Sequence, residues 1–174
     1  AAGQTAAFLI GRMLGDRPTT VGVVLGNIAF RCHEDREIGF RTGLRAHFPK
    51  VVISGEAQGE DSSDLTRNAV ARLLSDHPAL GAIYNVGGGN AGMVDALRAA
   101  GRASDMLVVG HEVNPSTVPL LRSGAMDFAI AGEPHDLLRA ALAMATSAEP
   151  GKDVRHLDFG VYTRFNLPSF APAD

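Results

Sequence analysis

One cysteine, Cys32, is all that 174 residues contain, which excludes an intramolecular disulfide and any multi-cysteine metal knot. No apolar run approaches the roughly 18 residues a membrane span needs, and no charged-then-apolar leader precedes a cleavage site, so no membrane partner is expected. Positive charge is not in excess. With a formal net charge of -3, no global basic field draws nucleic acid to this chain, and any DNA contact must come from elsewhere. The common catalytic signatures are missing as well: there is no serine in a G-x-S-x-G elbow, no H-E-x-x-H and no G-x-x-x-x-G-K-[ST]. His33, Glu34 and Asp35 adjoin, but three successive helix residues point in different directions and cannot converge on one ion. Cys32 has no assignable base and reads as a packed or surface thiol, not a nucleophile. No catalytic residue, cofactor or metal is expected, and there are no internal repeats or low-complexity tracts.

What is present is ordinary globular material, 45% apolar and 20% charged, enough for one sizeable core. The chain starts without methionine in AAGQTAAFLIGRML, where Ala6, Ile10, Met13 and Leu14 recur at helical spacing until Gly15 and Pro18. That abrupt start is expected of a piece of a longer protein. Buried-strand patterns follow at Thr20 to Gly26, Lys50 to Gly55, Ala82 to Val86, Met106 to Gly110 and Asp127 to Ala131. Between them lie helices from Glu34 to Phe48, from the cap at Asp61 or Ser62 to Pro78 (Leu65, Ala69 and Leu73 on its face), from Met93 and from Pro115 to Ser123. Strands of near-continuous Val, Ile and Leu are covered on both faces, so the fold is expected to be α/β, a doubly wound, Rossmann-like parallel sheet. After Ile130 the tidy alternation stops. Pro134 opens a helix with Leu138, Ala141, Leu142 and Ala145 aligned, EPGKD makes a turn, and HLDFGVYTRFNL reads as one or two strands.

The stretch Gly81 to Glu112 places Asn85 and Glu112 at the carboxyl ends of two neighbouring strands, where open parallel sheets hold their ligands. Gly87, Gly89 and Gly92 also satisfy G-x-G-x-x-G, with Glu112 about 20 residues on, as a dinucleotide site requires. Equally, a glycine-rich turn lets a chain reverse tightly before a helix. Three βα units precede it, and little chain remains afterwards for a substrate domain.

The order of RCHEDREIGF, GAIYNVGGGNAGMVDAL, MLVVGHEVNPST and LLRSGAMDFAIAGEP resembles the effector-binding module of lac-repressor-type bacterial regulators, similar in fold to periplasmic sugar-binding proteins. The resemblance implies a periplasmic-binding-protein-like lobe: residues 1–131 would be the C-terminal lobe, and residues 132–174 would cross to, or pack on, an absent N-terminal lobe. It further implies a cytoplasmic regulator, a small-molecule effector such as a sugar bound without chemistry, operator DNA held by an absent helix-turn-helix, and a homodimer. Of the family's contacts, the arginine of R-x-x-G-F falls on Arg36, whose planar fork suits adjacent hydroxyls; a solvated helix-face charge is the bland alternative. Asn85 matches the family's asparagine and could instead cap the glycine turn. Glu112 stands where most relatives carry aspartate. His111 could modulate charge near neutral pH or simply pack, and Phe30 could stack on a sugar or pack between lobes. Where relatives place glutamine or aspartate, AIAGEP has Ala131 and Gly132, leaving Glu133 as a substitute. A periplasmic sugar-transport receptor and a dinucleotide enzyme are the alternative functions.

Overall fold

The computed structural model describes residues 1–146 and 157–168. Helix α1 (Ala2–Leu14) leads into β1 (Thr19–Leu25), α2 (Arg31–His47), β2 (Val51–Gln58), α3 (Ser63–Asp76) and β3 (Leu80–Asn85). Then follow α4 (Asn90–Ala99), β4 (Leu107–His111), α5 (Val118–Ser123), β5 (Phe128–Gly132), α6 (Pro134–Ala145) and β6 (Phe159–Tyr162). The strands form one sheet in the order β2-β1-β3-β4-β5-β6, all parallel except β6, which runs antiparallel to β5. The doubly wound α/β architecture expected from the strand patterns is therefore the one observed.

Both faces of the sheet are covered, which is why its strands carry little polar alternation. On one face Ala6 and Ile10 of α1 and Phe40 and Leu44 of α2 pack over Val21, Val23, Ala82 and Tyr84. On the other, Val70 and Leu73 of α3, Met93 and Leu97 of α4 and Leu121 of α5 pack over Val24, Ile83, Val108 and Ala129. Close helix crossings rely on small residues: a Cβ on Gly43 would lie 2.8 Å from that of Ala7. From β1 the chain winds to β2 on one side and then returns past β1 to β3 on the other. That reversal leaves a crevice outside the carboxyl ends of β1 and β3, the usual ligand position in such sheets.

The structure refines three of the sequence expectations. In α3 the buried residues are Thr66, Val70, Leu73 and Leu74, and Leu65 is half exposed. Each i to i+4 step overshoots a full turn by about 40°, so the line Leu65, Ala69, Leu73 drifts across the helix and begins off the core. In α6 the aligned Leu138 and Leu142 are exposed, and the helix buries no residue among the described ones. HLDFGVYTRFNL forms one strand, β6, which joins this lobe's own sheet beside β5. The expected turn at EPGKD lies outside the described residues.

Gly92 shows how tightly the layers are drawn together. A Cβ there would overlap the Ser63 carbonyl oxygen, a backbone atom at the start of α3. Gly92→Ala therefore forces α3 and α4 apart. It is expected to lower unfolding free energy by about 1–3 kcal/mol, as overpacking does, seen as a lower denaturant midpoint at unchanged slope.

Candidate functional site

Residues from five strand ends meet along the carboxyl edge of the sheet. Arg36, in the second turn of α2, is half buried and donates from Nη1 to the Val86 carbonyl at 2.8 Å, crossing from α2 to the end of β3. Its position is set by α2, whose buried Phe40 stacks on Tyr84 with ring centroids 4.4 Å apart. Glu112 directly follows β4 and adopts φ 71°, a left-handed conformation rare outside glycine. The turn is held on both sides: Glu112 N–H donates to the Ile130 carbonyl at 3.1 Å, and its own carbonyl accepts from Thr117 Oγ1 at 2.9 Å.

Arg36 and Glu112 share one cavity of about 320 Å³, with Glu133 on its far wall and Val113, Ile130 and Leu137 supplying apolar surface. Glu133 Oε1 accepts a hydrogen bond from the Tyr162 hydroxyl at 2.9 Å. The Tyr162 phenol is shifted upward, by burial first and by the Glu133 carboxylate next. Two acceptor-only carboxylates and a donor-only guanidinium around an apolar floor make a site for a small molecule that carries both donors and acceptors.

The other expected residues behave differently. Asn85 is fully buried: its Nδ2 donates to the Gly88 carbonyl at 2.7 Å and to Asn90 Oδ1 at 2.9 Å, and its Oδ1 accepts from Gly87 N–H at 3.2 Å. Both amide hydrogens are committed to the turn, so Asn85 shapes the crevice without lining it. The expectation that it touches ligand gives way to the turn-capping role. His111 is also buried, with Nδ1 3.0 Å from the Ile130 carbonyl and Nε2 2.8 Å from the Tyr84 hydroxyl. A carbonyl only accepts, so Nδ1 carries the hydrogen and Nε2 accepts from Tyr84. Burial, and then the charge of Arg36, push the imidazole down to about 3. It stays neutral and cannot modulate charge near neutral pH. Burial likewise raises the Tyr84 phenol. Phe30 caps α2, stands edge-on to His33 with centroids 5.4 Å apart, and is more than half exposed.

Two residues were not singled out from sequence. Asp61, read there only as a helix cap, leaves that role to Ser62. Its carboxylate accepts from Gly88 N–H at 2.7 Å and Asn27 N–H at 3.1 Å, and stands 3.8 Å from His33 Nδ1. Asn90 continues the network, donating from Nδ2 to the His111 carbonyl at 3.1 Å. These contacts also explain the glycines. A Cβ on Gly87 would overlap Asp61 Oδ1, and one on Gly89, already at φ 78°, would overlap Thr66 Oγ1. The turn is filled by the β2 to α3 connection, and Asp61 takes its Gly88 amide, so the dinucleotide reading loses the seat its pyrophosphate needs. Among the described residues, no three His, Cys, Asp or Glu side chains are placed to hold a metal, and no helix is long and apolar enough to cross a membrane.

An α/β lobe whose strand ends present a charged, ligand-sized crevice defines a small-molecule binding module. The chain belongs to the periplasmic binding protein domain family, whose model matches residues 1–153. It is similar to the D-ribose/D-allose-binding protein of Pseudomonas aeruginosa, 32% identical over 126 residues, covering 70% of this chain and 39% of that protein. Among solved structures it resembles an ABC transporter solute-binding protein from Burkholderia graminis in complex with D-arabinose, with TM-score 0.84, 20% identity and coverage of 98% of this chain and 61% of that one. A periplasmic solute-binding protein from Actinobacillus succinogenes with bound D-allose gives TM-score 0.81 at 21% identity, covering 94% of this chain and 59% of that one. The chain thus spans about two fifths of the curated relative's length and about three fifths of the solved structures.

The His111 environment sets a pH dependence. Its folded value of about 3 lies below the ordinary 6.5, so between these the unfolded state binds the extra proton and stability falls as pH falls. Above 6.5 the contribution is flat. Chemical denaturation across this range should show that slope, and His111→Gln should flatten it.

Proposed function

We propose that this chain is one lobe of a sugar receptor that binds a polyhydroxylated small molecule in an interlobe cleft without transforming it. The observation that carries this reading is the meeting of Arg36, Glu112 and Glu133 around one cavity at the carboxyl edge of the sheet. Carboxylates accept from hydroxyls, the guanidinium donates to them, and Val113 and Ile130 offer an apolar floor for a sugar's C–H face. The sugar-binding relatives favour a transport receptor working outside the cytoplasmic membrane, with a membrane transporter as partner. The smaller Gly132 position leaves the polar role on that wall to Glu133.

A second reading, a cytoplasmic lac-repressor-type regulator with the same crevice, is favoured by the spacing of the motifs from RCHEDREIGF to AIAGEP. It would add operator DNA, a helix-turn-helix head and a homodimer. In that reading a ligand acts only by preferring one arrangement of the two lobes over the other. The coding sequence upstream of Ala1 separates the two: an apolar leader before another βα lobe supports the receptor, and a basic helix-turn-helix supports the regulator.

Calorimetric titration of the full-length protein with D-allose, D-ribose and D-arabinose is expected to give binding without turnover. Hydrogen bonds to charged groups contribute about 1.5–3 kcal/mol, so Glu112→Ala and Arg36→Ala should each weaken binding roughly 10- to 150-fold. Undiminished affinity in both variants would overturn the assignment of this cavity.

A further inference from the structure

Glu112 borders two cavities. Besides the one shared with Arg36 and Glu133, it lines a second of about 240 Å³ on the α3 and α4 side of the strand ends. The two differ in lining. Where the first has an apolar floor, the second is walled by Asp61, Ser63, Asn90, Asn114, Ser116 and the glycine turn.

Much of the second cavity's polar lining is already paired: Asn90 bonds Asn85 and the His111 carbonyl, and Asn114 and Thr117 bond each other. The groups left to a ligand are the Ser63 and Ser116 hydroxyls, the Glu112 carboxylate and the first N–H groups of α4. Gly89 caps α4 without a side chain, and Asn90 and Ala91, at the start of that helix, both line the cavity. First-turn N–H groups have no partner within their own helix. Ser63 and Ser116 are exposed at opposite walls. Acceptors come from Asp61, whose carboxylate is fixed by Gly88 and Asn27, and from Glu112.

A helix start alone invites an anion, but here Asp61 already occupies that place, accepting from Gly88 N–H at 2.7 Å. A second anion would face two carboxylates. A neutral ring carrying several hydroxyls meets neither objection. Glu112 lines both cavities, so a ligand that outgrows the first passes this carboxylate to reach the second.

Resting on the sugar-receptor reading, we propose that the second cavity is a subsite for a second neutral sugar residue, so that the ligand is a disaccharide or longer saccharide bridging Glu112. Glu112 then contacts both residues from the divide between the cavities. Its left-handed backbone, held by Ile130 and Thr117, fixes the point where that carboxylate leaves the chain.

The test is titration of the full-length protein with D-glucose, D-allose, D-arabinose, D-ribose phosphate and a panel covering each linkage of the glucose disaccharides. At least one disaccharide is expected to bind about tenfold or more tightly than glucose, a difference of roughly 1.4 kcal/mol. Ser116→Trp, which fills the second cavity from an exposed position, should erase that advantage and leave monosaccharide affinity within about twofold. Ser63→Trp does the same from the opposite wall, and circular dichroism checks that each variant is folded. Monosaccharide binding with no disaccharide preferred, or a preference that survives both tryptophans, overturns the subsite while leaving the receptor reading standing. Tighter binding of ribose phosphate than of the free sugars makes the cavity an anion seat and overturns it too. No binding of any saccharide overturns the receptor reading and the subsite together.

Discussion

A single run of hydrogen bonds along the carboxyl edge of the sheet holds the site in shape. Where parallel strands end, backbone groups lose their ladder partners and must find others. Here side chains supply them in series. The Ile130 carbonyl receives His111, whose other ring nitrogen receives Tyr84. The His111 carbonyl receives Asn90, and the Asn90 amide oxygen receives Asn85. Asn85 closes the glycine turn, whose Gly88 amide reaches Asp61, and Asp61 reaches Asn27 beyond β1. The run thereby links the ends of β5, β4, β3 and β1 through neutral groups until the part-exposed Asp61. In a low-dielectric setting such a chain is stiff when every member is satisfied and costly when one is lost.

That stiffness accounts for the conformation of Glu112. A non-glycine residue in the left-handed region costs of order 1–3 kcal/mol and persists only where its surroundings leave no alternative. The Ile130 carbonyl accepts both His111 Nδ1–H and Glu112 N–H, so one buried oxygen fixes the residue that packs and the residue that faces the crevice. The network and the binding surface are therefore one structure, with buried residues setting the geometry of exposed ones.

How much of this the sequence disclosed follows from what each signal measures. Strand positions were readable because burial on both faces demands near-continuous Val, Ile and Leu, and the sheet forms where those runs lie. Glu112 was readable from its place after a strand, Arg36 only through the R-x-x-G-F resemblance, and the structure puts both on one cavity. Which of its two weighed roles Asn85 takes was not readable, because its partner Asn90 opens the following helix and amide orientation across a turn leaves no periodic trace. Asp61 stood beside Ser62, and an Asp-Ser pair before a helix offers two possible caps. Only the fold reveals that the serine caps while the aspartate crosses to the glycine turn. His111 carried no sign of its neutrality, since burial and the Arg36 charge arise from three separate elements.

The antiparallel pairing of β5 with β6 has a mechanical consequence. Gly132 and Phe159 face each other in that ladder. Helix α6 begins at Pro134, just past that rung, and β6 begins at Phe159 on it, so departure and return share one rung of the sheet. Glu133, at the point of departure, accepts from the Tyr162 hydroxyl on the returning strand, so one wall of the cavity is braced by the chain's own return.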